Sequence, residues 1–181
     1  MGTNDLYEIP NPAHPATRIN HGALPSGFST TAVGMTSHDG SLWITGLDTT
    51  LWELANPRSP STAISRGSLP SALSRPNGVA SLNGSIWIVD RNSDQLWELA
   101  NPSSPSTAVS RGTLPSTIIA TGLAAHKGSL LIANTHNPSS LWQLTNPSSP
   151  GSATNLGTFP NDLSAPSGIT SHVTIDIKRL Q

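Results

Sequence analysis

Cysteine is absent from this chain of 181 residues, and charged residues make up only 10% of it. Without cysteine there is no disulfide, no thiol nucleophile and no cysteine-based zinc site. Nine basic residues stand against ten acidic ones and form no runs. The sequence therefore lacks the basic patch that a nucleic acid or an anionic membrane surface requires of its partner, and no nucleic-acid partner is predicted.

Long apolar runs are missing as well. No stretch reaches the ~18 apolar residues of a membrane span, and no charged start followed by an apolar run marks a secretion signal. We expect no membrane span and no targeting signal in this chain, so the sequence does not indicate a compartment. With 16 prolines and 15 glycines, the chain is also interrupted too often for long helices.

The chain does contain a repeated phrase, which reads LYEIPNP, LWELANP, LWELANP and LWQLTNP in its four copies. The copies begin at Leu6, Leu51, Leu96 and Leu141, 45 residues apart each time. A period of about 40 to 50 residues, filled with short alternating segments and turn residues, is typical of a four-stranded β-propeller blade. The sequence thus predicts one all-β propeller domain over 1–181. Its repeats are 6–50, 51–95, 96–140 and 141–181.

The second copy shows the four strands of one blade. NGVASL (77–82) and SIWIVD (85–90) flank Asn83-Gly84, a pair that suits a type I′ hairpin because both residues tolerate positive φ. LWELA (96–100) follows a polar turn, and TAVSRGTL (107–114) follows a proline-rich segment that breaks the ladder. Each unit is therefore predicted to be a four-stranded antiparallel meander. Matching hairpins are predicted at Asp39-Gly40 and Lys127-Gly128.

The two ends of the chain complement each other. It starts with a third and a fourth strand (6–9 and 17–24) and finishes with a first and a second strand (168–172 and 173–177). We expect these halves to pair into a composite blade that closes a ring of four within a monomer. Closure would cover strand edges and apolar faces that an open ring exposes. The alternative is that two chains exchange these strands and complete one eight-bladed ring as a dimer.

The segment NGVASLNGSIWIVDRNSDQLWEL (77–99) resembles an NHL-type propeller repeat, with a Gly-apolar-Ala first strand, a glycine turn, an aromatic second strand ending in Asp and an apolar third strand. The next copy departs from this pattern, since Leu131 replaces the aromatic residue and Asn134 the Asp. NHL-type propellers serve mostly as protein- or RNA-binding platforms, and related six-bladed propellers include lactonases and lyases. The resemblance implies a propeller fold and a binding role, but it places no catalytic carboxylate or metal ligand in this chain.

Histidine provides one candidate ligand site. His38, His126 and His172 each fall four residues after a first-strand glycine, where the second copy has Leu82. Such positions recur around a propeller axis, so the three imidazoles could converge on a ligand or on a transition metal. We favour a structural role, in which each imidazole hydrogen-bonds turn backbone, because side chains of a blade face the neighbouring blades. No metal and no cofactor are therefore predicted.

Aromatic residues provide a second candidate site. Trp52, Trp97 and Trp142 occupy one position of the third strand in three copies, and Tyr7 holds it in the first. A ring of such side chains could stack sugars, as in propeller lectins. Large aromatics at fixed strand positions more often form the core between blades, and we favour that interpretation because leucine follows two residues later in the three tryptophan copies.

The third strand also carries an acidic position matched by a basic one in the fourth strand. The pairs are Glu8 with His21, Glu53 with Arg66 and Glu98 with Arg111, and the last copy has Gln143 and Leu156 instead. The acids could form a ligand- or metal-binding row. Because acid and base disappear together, we predict cross-strand ion pairs instead, with a contribution of ~0.2 to 1 kcal/mol each.

Uniformity of the repeats favours a scaffold over a catalyst. Segments 51–71 and 96–116 differ at only three positions, whereas an enzyme site needs different residues converging on one point. We predict a non-enzymatic binding module with no catalytic residue, part of a longer repeat-bearing protein, that takes a protein or glycan ligand on a loop face. A carbohydrate-binding, lectin-like propeller is the alternative. A lactonase- or lyase-type enzyme is a third class, disfavoured because the inner strands offer almost no carboxylates.

Overall fold

The computed structural model describes residues 5–11, 13–28, 32–160 and 169. Within these residues the regular structure is almost entirely β-strand. The strands are β1 (Asp5–Glu8), β2 (Ile19–Ala23), β3 (Ala32–His38), β4 (Ser41–Gly46), β5 (Thr50–Leu54), β6 (Ile64–Ser68), β7 (Pro76–Leu82), β8 (Ser85–Asp90), β9 (Gln95–Leu99), β10 (Val109–Thr113), β11 (Ala120–His126), β12 (Ser129–Asn134), β13 (Ser140–Leu144) and β14 (Thr154–Thr158). Three 3₁₀ turns lie between third and fourth strands, at Pro60–Thr62, Pro105–Thr107 and Pro150–Ser152.

These strands form antiparallel meanders in chain order. Blade 1 is β3-β4-β5-β6, blade 2 is β7-β8-β9-β10 and blade 3 is β11-β12-β13-β14, while β1 and β2 form a two-stranded sheet. The protein is therefore an all-β propeller with four-stranded antiparallel blades, as its repeat predicts. The strands predicted at 168–172 and 173–177, which were expected to close the ring with β1 and β2, lie outside the described residues except for Ile169.

Blade 2 shows how closely local sequence determines the strands. Asn83 and Gly84 have φ of 52° and 79°, the two positive values that a type I′ hairpin needs. β8 has the predicted bounds, and β9 begins one residue earlier than predicted. The fourth strand is shorter than predicted because its start is taken by the 3₁₀ turn at Pro105–Thr107. Proline suits the first position of such a turn, since its fixed φ is compatible and its missing N–H is not needed there.

Inner-strand glycines set the spacing of the blades. β7 packs between β3 and β11, so the first strands of successive blades lie side by side around the axis. A Cβ atom on Gly34 would lie 2.6 Å from the Asn77 carbonyl oxygen, and one on Gly78 would lie 2.7 Å from the Leu123 backbone nitrogen. Backbone atoms cannot turn aside as a flexible side chain can, so the missing side chain is what permits this close approach.

Apolar side chains fill the space between successive blades. Trp43 of blade 1 packs in one cluster with Trp97 of blade 2, and Trp87 of blade 2 packs in another with Ile132 of blade 3. Burying each large apolar side chain contributes about 1.5 to 3 kcal/mol. The core is thus divided into layers between sheets, and each blade is stabilised chiefly by its neighbours.

Each outer strand contains a β-bulge. In blade 1, Ser65 pairs with Trp52 and Gly67 with Leu51, which leaves Arg66 as the extra residue. Gly67 has a φ of 104°, a left-handed conformation that glycine adopts readily. The positive-φ glycine recurs in β2, β10 and β14 as Gly22, Gly112 and Gly157. A proline of the next blade's 3₁₀ turn faces two of these positions, since Pro105 packs near Gly67 and Pro150 near Gly112.

Candidate functional site

The described blades have two ends that differ in their loops. At one end lie the hairpins between first and second strands, together with the 3₁₀ turns, and we call this end the hairpin face. At the other end lie the turns between second and third strands and the connections between blades, and we call it the turn face. Each face has its own depressions, and the candidate residues divide between them.

An axial cavity of about 310 Å³ lies among the inner strands, in the half of the channel nearer the hairpin face. Its lining is mixed: Met35, Val79 and Leu123 contribute apolar side chains, and Thr36, Ser37 and Ser81 contribute polar residues. Met35 is 51% exposed, which is high for a methionine beside a core. Ile169, from the C-terminal part of the chain, also lines this cavity. A smaller cavity of about 130 Å³ continues past the inner-strand glycines toward the turn face.

The histidines do not gather on the axial cavity. His38 is buried at the end of β3, and its Nδ1 lies 2.9 Å from Ser81 Oγ of blade 2, while its Nε2 lies 3.4 Å from Asp39 Oδ2. Its partners are thus a neighbouring blade's side chain and its own hairpin's carboxylate, in place of the turn backbone we expected. His126 is half-buried at the end of β11, and neither histidine lines the axial cavity. His172 lies outside the described residues.

A polar groove of about 370 Å³ runs between blades 1 and 2 on the hairpin face. His38 and Asp39 line one wall with the Glu53–Arg66 pair, and the opposite wall is the loop of blade 2 around Asn101. The groove adjoins the axial cavity at the His38–Ser81 hydrogen bond, because His38 lines the groove and Ser81 lines the cavity. A recess of mixed lining and a charged groove therefore meet at one point.

The predicted acid–base pairs are confirmed as contacts. Arg66 Nε donates to Glu53 Oε2 at 2.7 Å, and Arg111 Nε donates to Glu98 Oε2 at the same distance. The basic residue is the extra residue of the bulge, so it reaches diagonally across the ladder instead of standing opposite the acid. The other carboxylate oxygen accepts from a second-strand serine, which is Ser85 Oγ at 2.8 Å in blade 2. These acids are therefore occupied by bonds within their own blades.

The carboxylate of Asp90, at the end of β8, is also occupied. It is fully buried and accepts hydrogen bonds from the backbone N–H groups of Ser74, Arg75 and Asn92 and from Ser93 Oγ, at 2.9 to 3.2 Å. These bonds tie the connection that precedes β7 to the turn that follows β8. The Asp of the NHL-like pattern is thus a structural anchor in this chain.

Asn134 is the corresponding anchor in blade 3. Its Oδ1 accepts from the Ile119 and His136 N–H groups at 2.8 and 2.9 Å. Its Nδ2 donates to Ser140 Oγ at 2.9 Å. The substitution of Asn for Asp between the two copies therefore preserves the anchor while adding a donor.

Asp94, in the turn after β8, has an unusual environment. Its Oδ1 is buried and has no partner among the described residues. Burial raises the pKa of Asp94, and the nearby Asp90 carboxylate raises it further. Within the described part of the chain, no three His, Asp or Glu side chains lie close enough together to hold a metal ion.

The third-strand tryptophans differ in their surroundings. Trp52 packs edge-on against Phe28 with ring centroids 5.5 Å apart, and Trp97 lies in the core between blades 1 and 2. Both are buried, as the core interpretation predicts. Trp142 contacts the core between blades 2 and 3 but is only half-buried. The three copies are therefore not equivalent.

A pocket of about 180 Å³ lies in front of Trp142 on the turn face. Around the indole stand Asn155 of β14, His136 and Asn137 of the turn after β12, and Thr117 of the connection from blade 2. The turn between second and third strands lengthens from blade to blade, and it comprises residues 47–49, 91–94 and 135–139. The longest turn is therefore the one that borders this pocket.

No protein-family model and no curated protein matches this sequence. Solved structures that resemble this chain include YCF48 bound to D1 peptide, with a TM-score of 0.54 and 18% identity over 74% of this chain and 42% of the other. A catalytically inactive virginiamycin B lyase from Staphylococcus aureus with quinupristin gives a TM-score of 0.58 and 13% identity over 91% of this chain and 50% of the other. This chain thus spans half or less of those two chains.

A nidogen/laminin complex gives a TM-score of 0.59 and 13% identity, over 94% of this chain and 80% of the matched chain. Identities this low establish the propeller fold and nothing finer, so the NHL-type assignment stays a prediction. Among the described residues, none forms a helix with the length and hydropathy of a membrane span.

Proposed function

We propose that this chain is a non-enzymatic binding propeller that takes an extended peptide segment on its hairpin face. The observation that carries the proposal is the junction of the axial cavity and the polar groove at the His38–Ser81 hydrogen bond. Volumes of about 310 and 370 Å³ fall in the range of roughly 300 to 1,000 Å³ of known ligand sites. The recess offers the apolar side chains of Met35, Val79 and Leu123. Together with the polar groove, it suits a peptide whose apolar side chain enters the recess while its backbone follows the groove.

The chemistry of the two walls supports this ligand class. Met35 is flexible and polarisable, so it adapts to apolar side chains of different shape. Asp39 and Arg66 place both signs of charge along the groove, where they can pair with peptide charges or backbone groups. Solved propellers of similar fold were determined with a D1 peptide and in a nidogen/laminin complex, so the architecture is compatible with polypeptide partners.

The carboxylates of the blades favour binding over catalysis. A general acid or base must be free to exchange a proton with a substrate. Glu53 and Glu98 each accept hydrogen bonds from a serine and an arginine, and Asp90 accepts from four donors. Such groups stabilise the blades.

An array of short random peptides, probed with the purified chain, tests the proposal. We expect selected peptides to share an apolar anchor residue. Their affinity should fall at least about tenfold on Met35→Glu, because a carboxylate then replaces an apolar side chain that the anchor residue would contact. Met35→Leu is the matched control and should retain affinity. Ser71→Trp, on the turn face, should have no effect. Failure to select any peptide, or equal affinity of the parent and Met35→Glu, would refute the proposal.

A further inference from the structure

We propose a second binding site, on the turn face of blade 3, which takes a single pyranose ring against the indole of Trp142. This site is independent of the peptide site on the opposite face. The pocket of about 180 Å³ offers the space of roughly six waters, taking a share of ~30 Å³ each, which suits one small polar ring. A pyranose presents apolar C–H groups on one face and hydroxyl groups around its rim, so it needs a flat aromatic surface ringed by hydrogen-bonding side chains.

The indole of Trp142 is held in place by internal hydrogen bonds. Its Nε1–H donates to Ser140 Oγ at 2.9 Å, and Asn134 Nδ2 donates to the same oxygen at 2.9 Å. Asn134 is in turn anchored by the backbone N–H groups of Ile119 and His136. Since the indole N–H is already used, Trp142 has only its apolar ring to offer a ligand in the pocket. A fixed platform lowers the entropic cost of binding.

Polar side chains surround this platform. Asn155 pairs with Trp142 across β13 and β14. Its Oδ1 accepts from the Gly157 N–H at 2.7 Å, which fixes the side chain and leaves its Nδ2 as the donor toward a ligand. Asn137 and His136 add amide and imidazole groups from the long turn, both exposed at the pocket. The combination of an aromatic ring with amide and imidazole hydrogen-bonding groups matches a sugar better than it matches an ion.

The corresponding positions in the other sheets differ from this one. In blade 2, Gln95 replaces Ser140, and its Oε1 accepts from Ser110 Oγ, the residue at the Asn155 position. There the equivalent Trp97 is only 6% exposed. The sheet of β1 and β2 has an aromatic–asparagine pair as well, but Asn20 is engaged by Asp5 and Tyr7. The open site is therefore a property of blade 3 among the described blades.

Indole N–H resonances provide the test, because each of the five tryptophans of this chain gives its own signal. Methyl β-glucopyranoside, methyl β-galactopyranoside and N-acetylglucosamine are titrated separately into the isotope-labelled protein. We expect at least one of them to shift the Trp142 signal saturably while the Trp43 and Trp97 signals stay in place. No shift of the Trp142 signal by any of the three sugars, or equal shifts of all indole signals, would overturn the proposal.

Asn155→Ser is the matched variant, since Ser65 and Ser110 stand at this position in blades 1 and 2. It should fold as the parent does and bind the sugar about tenfold more weakly, because one hydrogen-bonding group is lost. Undiminished sugar affinity in Asn155→Ser would contradict the site. Binding of array-selected peptides should not change in this variant, so failure of the sugar site and failure of the peptide site can be told apart.

Discussion

Asp90 offers a direct test of how the blade connections are held in place. Its fully buried carboxylate accepts from the N–H groups of Ser74, Arg75 and Asn92 and from the Ser93 hydroxyl. Asp90→Ala removes these acceptors together and leaves three backbone donors without their partner. An unsatisfied buried donor costs about 1 to 3 kcal/mol. Asn92 is exposed, so water can reach part of this turn and reduce the loss.

We therefore expect Asp90→Ala to lower the free energy of unfolding by about 3 kcal/mol, as happens when a buried hydrogen-bond network is broken. Asp90→Asn is the matched control, since Asn134 anchors blade 3 through its Oδ1. It keeps one acceptor oxygen and should cost only about 1 kcal/mol. Urea unfolding at neutral pH, followed by tryptophan fluorescence, measures both values. Two variants of equal stability, or an Asp90→Ala within about 0.5 kcal/mol of the parent, would refute this reasoning.

Two further predictions concern charge. A double-mutant cycle on Glu98 and Arg111 should give a favourable coupling energy of ~0.2 to 1 kcal/mol. This energy should decrease with added salt, because the pair is only partly buried. A coupling energy that does not depend on salt would contradict an ion pair. The pKa of Asp94 is higher in the folded protein than its ordinary value of 3.8. The folded state is therefore most stable, with respect to this group, below pH 3.8, where Asp94 is protonated. That stability is lost as the pH rises through the folded-state pKa. Asp94→Asn should therefore be more stable than the parent at neutral pH, and the difference should vanish in acid. Identical stability curves against pH would show that burial of this carboxyl has no cost.

The strands and hairpins of this protein were predictable because they depend on local sequence. Asn83-Gly84 specifies its turn through backbone conformations that few other pairs adopt, and the 45-residue period supplies the same turn in other copies. The bulges were not predicted. One extra residue shifts the inside/outside alternation, but a strand of five residues is too short for that shift to be recognised, and only the glycine after Arg66 or Arg111 marks the place.

The sites were less predictable because they depend on contacts between blades. The position of His38 at the end of an inner strand follows from the repeat, but its partner Ser81 lies 43 residues away in another blade. The pocket at Trp142 has a sequence signal in the length of the turn at 135–139, one residue longer than its counterpart in blade 2. That signal does not tell whether the extra residue opens a pocket or covers one, since the outcome depends on how Thr117 and Asn155 approach from other segments.

The bulged outer strands bear on how a chain of this design can grow. Each duplication of a 45-residue unit places another outer strand at the rim, with an exposed apolar side chain such as Ile64 or Val109. A regular edge strand without a bulge readily recruits a second molecule through its free backbone groups. The bulge at Arg66 or Arg111 lies inside the duplicated unit. Every new copy therefore has an outer strand that is already bent and interrupted by a bulge. A blade can therefore be added by duplication without a further substitution to prevent its outer strand from pairing with another molecule.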